Sequence, residues 1–278
     1  MTRLLSANFV HLKKNRCFWT CIWFMVLYGA FMVYMNYWSM CRYGYDSTLD
    51  SMCRGYTNLM GFASALLVSL FLGTEYSDGV IRNKLVVGHQ RHTVYLAGLT
   101  VNAVGVLMIN AVYVGVVILL GAPFLGASWQ ADPLTLLKAA AVTVLMDLSY
   151  TAIFTMCSML NQNKASVTAG AILGALILCL MSGYIQSRLN EPKIYEAYTE
   201  VTDKGYVITR EAVENPFYLE GTKREAYTVL NDLLPSGQGM QLGSGDVSRA
   251  GQMSLYSGLI LVLFTGTGIF FFCRKDIK

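Results

Sequence analysis

The chain has 278 residues, 54% of them hydrophobic and only 14% charged, with a net charge of +4, whereas soluble domains carry roughly 25% charged residues. The apolar residues arrive in long unbroken blocks instead of alternating with polar ones, which excludes an ordinary water-soluble enzyme or a nucleic-acid-binding domain as the reading of this composition. Lipid is the solvent such blocks call for.

Leu4, Leu5, Val10 and Leu12 punctuate a first segment that also holds Arg3, Asn8, His11, Lys13 and Lys14. It reads either as an elbow helix lying on the membrane surface or as a tail whose lysines only fix topology. The first uncharged block follows at 17–37 and the second at 55–73. Each is long enough to cross about 30 Å of hydrocarbon, which takes ~20 helical residues. Further spans are expected at 94–120, 139–160, 165–186 and 253–273. The tail of the third block, through Gly121, Pro123 and Gly126, is expected to bend out of the membrane. A cleavable signal peptide is rejected for the first block, which is too long and ends in Tyr37, Trp38, Ser39 and Met40 instead of small residues.

Between the second and third spans, residues 74–92 mix Glu75, Tyr76, Asp78, Arg82, Asn83 and Lys84 with Val80, Ile81, Leu85, Val86 and Val87. Ile81 and Leu85, four apart on a short helix, would form a small apolar face ringed by charge and suited to docking on another protein. The alternative is a solvated loop whose apolar residues dip back into the membrane. Residues 187–252 form an insertion between the last two spans. There, Tyr198 to Ala212 alternates around Asp203, Lys204 and Gly205 as a β-hairpin. Thr222 and Glu225 suggest a capping box for a helix over 223–234. Pro235, Ser236 and Gly237 could start a further short helix toward Gln241 and Leu242, dipping into the membrane.

Six spans put both termini and the second and fourth loops on one side, which collects eleven basic and three acidic residues. The other side collects ten basic and thirteen acidic residues. The positive-inside rule makes the first side cytoplasmic. Cys17, Cys21, Cys157, Cys179 and Cys273 fall in or beside spans, whereas Cys41 and Cys53 fall in the first outer loop, either as a disulfide or as two free thiols.

Asp147 is the one acid well inside a span, where ionisation near the bilayer centre costs ~2.5–3.5 kcal/mol even on the lenient insertion scale. It therefore faces protein or water, lining a path, binding a coupling cation, or packing with help from Ser149, Tyr150 or a neighbouring helix. Asn102 and Asn110 pose the same choice, and Gly170 and Gly174 have the spacing of close helix contact. His89 and His92 lack the companions that a zinc site needs. No phosphate-cradling Gly-x-x-x-x-Gly-Lys-Ser/Thr loop, nucleophile elbow or His-Glu-x-x-His helix occurs. The chain is accordingly not expected to be an enzyme or to hold a cofactor.

Gly-Thr-Glu-Tyr-Ser-Asp-Gly-Val-Ile-Arg-Asn-Lys-Leu at 73–85 resembles the loop after the second span of bacterial ATP-binding-cassette (ABC) transporter permeases of the type-2 class. Asn215-Pro216, the Leu-Leu-Pro-Ser-Gly-Gln run at 233–238, and the closing Phe272, Arg274, Lys275, Asp276 and Lys278 resemble the same permeases. The resemblance implies an all-α plasma-membrane protein with six transmembrane helices, a single permease domain over 1–278. It adds an N-terminal elbow, a cytoplasmic coupling helix and a small α+β extracellular subdomain. Glu75, Tyr76, Asp78, Ile81, Arg82, Asn83, Lys84 and Leu85 would meet a separate cytoplasmic ATPase subunit, which binds ATP and Mg. A second permease subunit, identical or different, would complete a path lined by the second and fifth spans. The cargo expected is a peptide antibiotic, lipid or other amphiphile. Competing readings are a membrane sensor or scaffold whose outer subdomain binds a ligand, and a membrane-embedded enzyme, for which Asp147 lacks a catalytic companion.

Overall fold

The computed structural model describes residues 2–44, 48–125, 129–196, 198–201 and 207–275. Gly126, the expected turn at Asp203, Lys204 and Gly205, and the terminal Asp276 and Lys278 lie outside them. Six helices among the described residues are long and apolar enough to cross a membrane.

Helix α1 (Thr2–Lys14) ends where Asn15 begins α2 (Arg16–Tyr43), its side-chain oxygen accepting from the Cys17 amide at 2.8 Å. That bond satisfies one of the amides a helix start leaves unpaired. The second span is assembled from α3 (Leu49–Arg54), a 3-10 turn at Thr57–Leu59, and α4 (Met60–Ser77). Short α5 (Val80–Val86) follows, then α6 (Arg91–Leu125). α6 stays helical through Gly121 and Pro123, so the bend expected there is not made within the described residues. Proline near a helix end removes one backbone bond that the last turns can spare.

Helix α7 (Pro133–Leu160) opens on a proline, whose missing N–H is one the first turn does not use. Asn163 caps α8 (Lys164–Leu189), accepting from the amides of Ala165 and Ser166. Every span extends beyond the apolar block read from the sequence, because a helix does not end where hydrocarbon ends. The last span is α11 (Ala250–Arg274). α7 packs along α11, α4 lies against α8 and α7, and α2 lies along α6. Apolar side chains such as Trp23, Leu27, Val262 and Leu180 stay exposed on the outer helices, as lipid-facing surfaces require.

Between α8 and α11 two antiparallel strand pairs form, β1 (Ile194–Tyr195) with β4 (Val213–Glu214) and β2 (Tyr198–Val201) with β3 (Val207–Arg210). Helices α9 (Gly221–Leu233) and α10 (Pro235–Ser244) follow. The capping box is not built: α9 starts at Gly221, which puts Thr222 inside the first turn, and Glu220 at the cap position makes no capping hydrogen bond.

Candidate functional site: the basic-end joint

α4 and α5 are separated by Gly79, whose φ of +67° reverses the chain at little steric cost only for glycine. The Asn83 amide then bonds back to the Gly79 carbonyl at 2.9 Å, and Gly88 at φ +97° closes the element. In this short helix Ile81 is fully buried. The apolar face expected from Ile81 and Leu85 is thus corrected: Ile81 is completely buried and Leu85 is half-buried against the core. Spacing of four identified one face correctly, but that face anchors the helix inside the chain. Arg82, Asn83, Val86 and Val87 are the exposed residues, the two valines each at 78%. Asp78 stands exposed beside them.

Glu75, in the last turn of α4, is 1% exposed. Lys84 of α5 donates to its Oε1 at 2.8 Å, and His11 of α1 brings Nδ1 to within 3.4 Å of the same oxygen. The His11 ring also lies 5.4 Å from that of Phe71. A buried carboxylate is tolerable only with such partners, and a charge-assisted bond is about twice as strong as a neutral one. One side chain therefore ties three helices together.

Beside it, the Tyr76 hydroxyl donates to the Met159 carbonyl of α7 at 2.6 Å, and the Lys275 ammonium donates to the same oxygen at 3.0 Å. Lys275 also lies 4.8 Å from the centre of the Tyr76 ring. Burial pushes the Lys275 ammonium below its ordinary range. Arg91 at the start of α6 donates to the carbonyls of Phe272 and Lys275. Six elements converge here, and most of the loop residues singled out from the sequence belong to this joint. His11, Val86 and Val87 complete it. A histidine one turn before the first span and two valines before a glycine were the signals for them.

Asp147 lies elsewhere, at mid-length of α7 and fully buried. Asn110 donates to its Oδ2 at 2.6 Å, and the Tyr56 hydroxyl donates to Asn110 Oδ1 at 2.6 Å. The expected local helpers are not used: the Ser149 hydroxyl donates to the Met146 carbonyl and Tyr150 packs on Phe154. Asn102 is fully buried on α6 and stands apart from this trio. Cys41 closes the last turn of α2 and Cys53 belongs to α3, both as free thiols. Among the described residues, space beside Gly170 is open and Phe154 alone comes near Gly174.

At the opposite end, sequence reasoning missed a hub. Asp232, 1% exposed, accepts from Gln241 at 3.1 Å and from Arg249 at 2.9 Å, while its carbonyl accepts from Gln238 at 2.8 Å. Gln238, fully buried, also accepts from the Ser257 hydroxyl at 2.7 Å. These bonds fix α10 against α9 and α11.

No protein-family model matches the chain, and no curated protein sequence matches it either.

Proposed function

We propose that this chain is the membrane-spanning subunit of an ATP-driven exporter of the type-2 ABC class, acting as a dimer with separate cytoplasmic ATPase subunits and passing amphiphilic cargo. The observation that carries the reading is α5, whose Ile81 and Lys84 hold it to the bundle while Arg82, Asn83, Val86 and Val87 face outward. An apolar pair rimmed by charge is a docking surface for a partner protein. By the excess of basic residues this end faces the cytoplasm, where an ATPase subunit would sit. Closure of that partner would pull on α5 and reach α1, α4 and α7 through Glu75 and Tyr76. The open side of α8 at Gly170 and Gly174, flanked by exposed Leu173 and Ile177, suits a second permease subunit.

The test is copurification from the native membrane with Val86→Asp and Val87→Asp, both at exposed positions. The expected result is that an ATPase subunit accompanies the unaltered chain and is lost from the doubly substituted one, with thermal stability unchanged. Absence of any ATPase from the unaltered complex, or its full retention by the variant, overturns the reading. The sensor reading has one observation in its favour, an open outer cavity of about 910 Å³ lined by Arg188, Lys193, Glu214, Tyr218, Glu220 and Lys223. It would be supported by a ligand-dependent partner in place of an ATPase.

A further inference from the structure

Helices α6 and α7 run antiparallel, and two contacts fix their register. Asn110 bonds Asp147 near mid-length, and a Cβ added at Gly98 would fall 2.7 Å from Met159 Cε. Between these contacts α6 advances twelve residues while α7 retreats twelve, so one register spans the whole interval. It sets Asn102 at the level of Thr155 and Val106 at the level of Thr151. Three turns of this interface thus alternate between polar and apolar layers.

The Asn102 layer is chemically incomplete. Asn102, Thr155 and Ser158 are all fully buried, yet neither Asn102 Nδ2 nor Oδ1, nor either hydroxyl, has a hydrogen-bond partner among the described residues. Other hydroxyls of the same helix behave differently: Thr143 and Thr151 donate to the carbonyls four residues back, those of Ala139 and Asp147. Thr155 and Ser158, three residues apart, lie close on one side of α7. Asn102 carries both donors and an acceptor. A buried amide and two hydroxyls left bare would forfeit their hydration with nothing in return.

We infer that the α6–α7 seam holds internal water between Asn102, Thr155 and Ser158, the last of them nearly one turn closer to Met159. Water suits this layer better than a metal ion because its side chains are neutral and include the Asn102 amide donor. A water molecule can accept from Nδ2 and donate to Oδ1 or a hydroxyl, giving it the two to four partners that internal water requires. Hydration gives the interface a part at Asp147, where Asn110 bonds Oδ2 directly while Oδ1 has no partner among the described residues, and a water-bridged part nearer the basic-end joint.

Methionine reports on this directly. Met159 and Met25 are both fully buried, but only Met159 borders the proposed layer. Water radiolysed in place yields hydroxyl radicals that oxidise the nearest sulfur to sulfoxide, which mass spectrometry counts. In the full chain in lipid nanodiscs, Met159 is expected to oxidise severalfold faster than Met25, and Asn102→Leu to bring it down to the Met25 rate. Thr155→Val, close in shape, provides the same readout if Asn102→Leu does not fold. Equal rates for Met159 and Met25 in the unaltered chain, or a Met159 rate untouched by the folded variant, would overturn the inference.

Discussion

Helix α5 at the basic end and helix α10 at the opposite end have seven and ten residues, too few to be stable alone, yet each is held in a different way. α5 rests on one buried side chain, Ile81, and one charge-assisted bond from Lys84 to Glu75, and leaves its other face uncovered. α10 is buried nearly all round, from Pro235 through Gly239 and again at Gln241 and Leu242. It is secured by neutral amides and by glycines that admit neighbouring backbone. A helix with one strong anchor can move with whatever binds its free face. A helix wedged on all sides cannot, so substitutions at the two ends should separate stability from coupling.

The largest effect is expected at Gly237. A Cβ there would collide with the Asn231 backbone carbonyl, which cannot rotate away as a side chain would. Overpacking costs of about 3 kcal/mol are expected for Gly237→Ala, read as a clear fall in melting temperature of the purified protein. Retention of full stability would mean that α10 is not wedged as described. The contrast would then lose its rigid half.

Glu75→Ala probes the other half. Losing the charge-assisted bond to a buried carboxylate is expected to cost about 2 kcal/mol, less than the glycine substitution because half-buried Lys84 and His11 can regain water. Its signature should be local: amide exchange in α5 should quicken while that in α10 is unaffected. Equal quickening at both ends would show that the ends are not independent.

Much of this contrast was legible in the sequence, and the misses have physical causes. The long apolar blocks, five of them free of charge and one carrying only Asp147, located all six spans, because hydrocarbon selects strongly against charge. The helix from Pro235 toward Leu242 was readable from its Pro-Ser-Gly start. Ile81 was identified as part of an apolar face, but spacing fixes which residues share a side and not which side meets the core. Asp147 is legible in the sequence as facing protein or water, yet its partner Asn110 is 37 residues away, beyond any local pattern. The Asp232 hub was invisible for the same reason, since Arg249 reaches it from the start of the last span.

The smallest effect is expected at Asp246, where the chain turns from α10 into α11. Its Oδ1 accepts from the Ser248 hydroxyl at 2.7 Å and from the Ser248 amide at 3.0 Å. These bonds, with the Arg249 charge, hold the Asp246 carboxyl below the ordinary aspartate range. Because the folded state favours the ionised form, the turn's contribution is fully present above the ordinary aspartate range. It is lost as pH falls through the lower folded value. Asp246 is exposed, so solvent screening limits the gain to about 0.3 kcal/mol, too little for a melting curve. Proton exchange at the Ser248 amide provides the measure: Asp246→Asn is expected to quicken it at neutral pH and to remove its dependence on pH in the acid range. An unaltered profile in the variant would mean that α10 is fixed to α11 by the Asp232 and Gln238 contacts alone, narrowing the rigid end of the comparison to those two side chains.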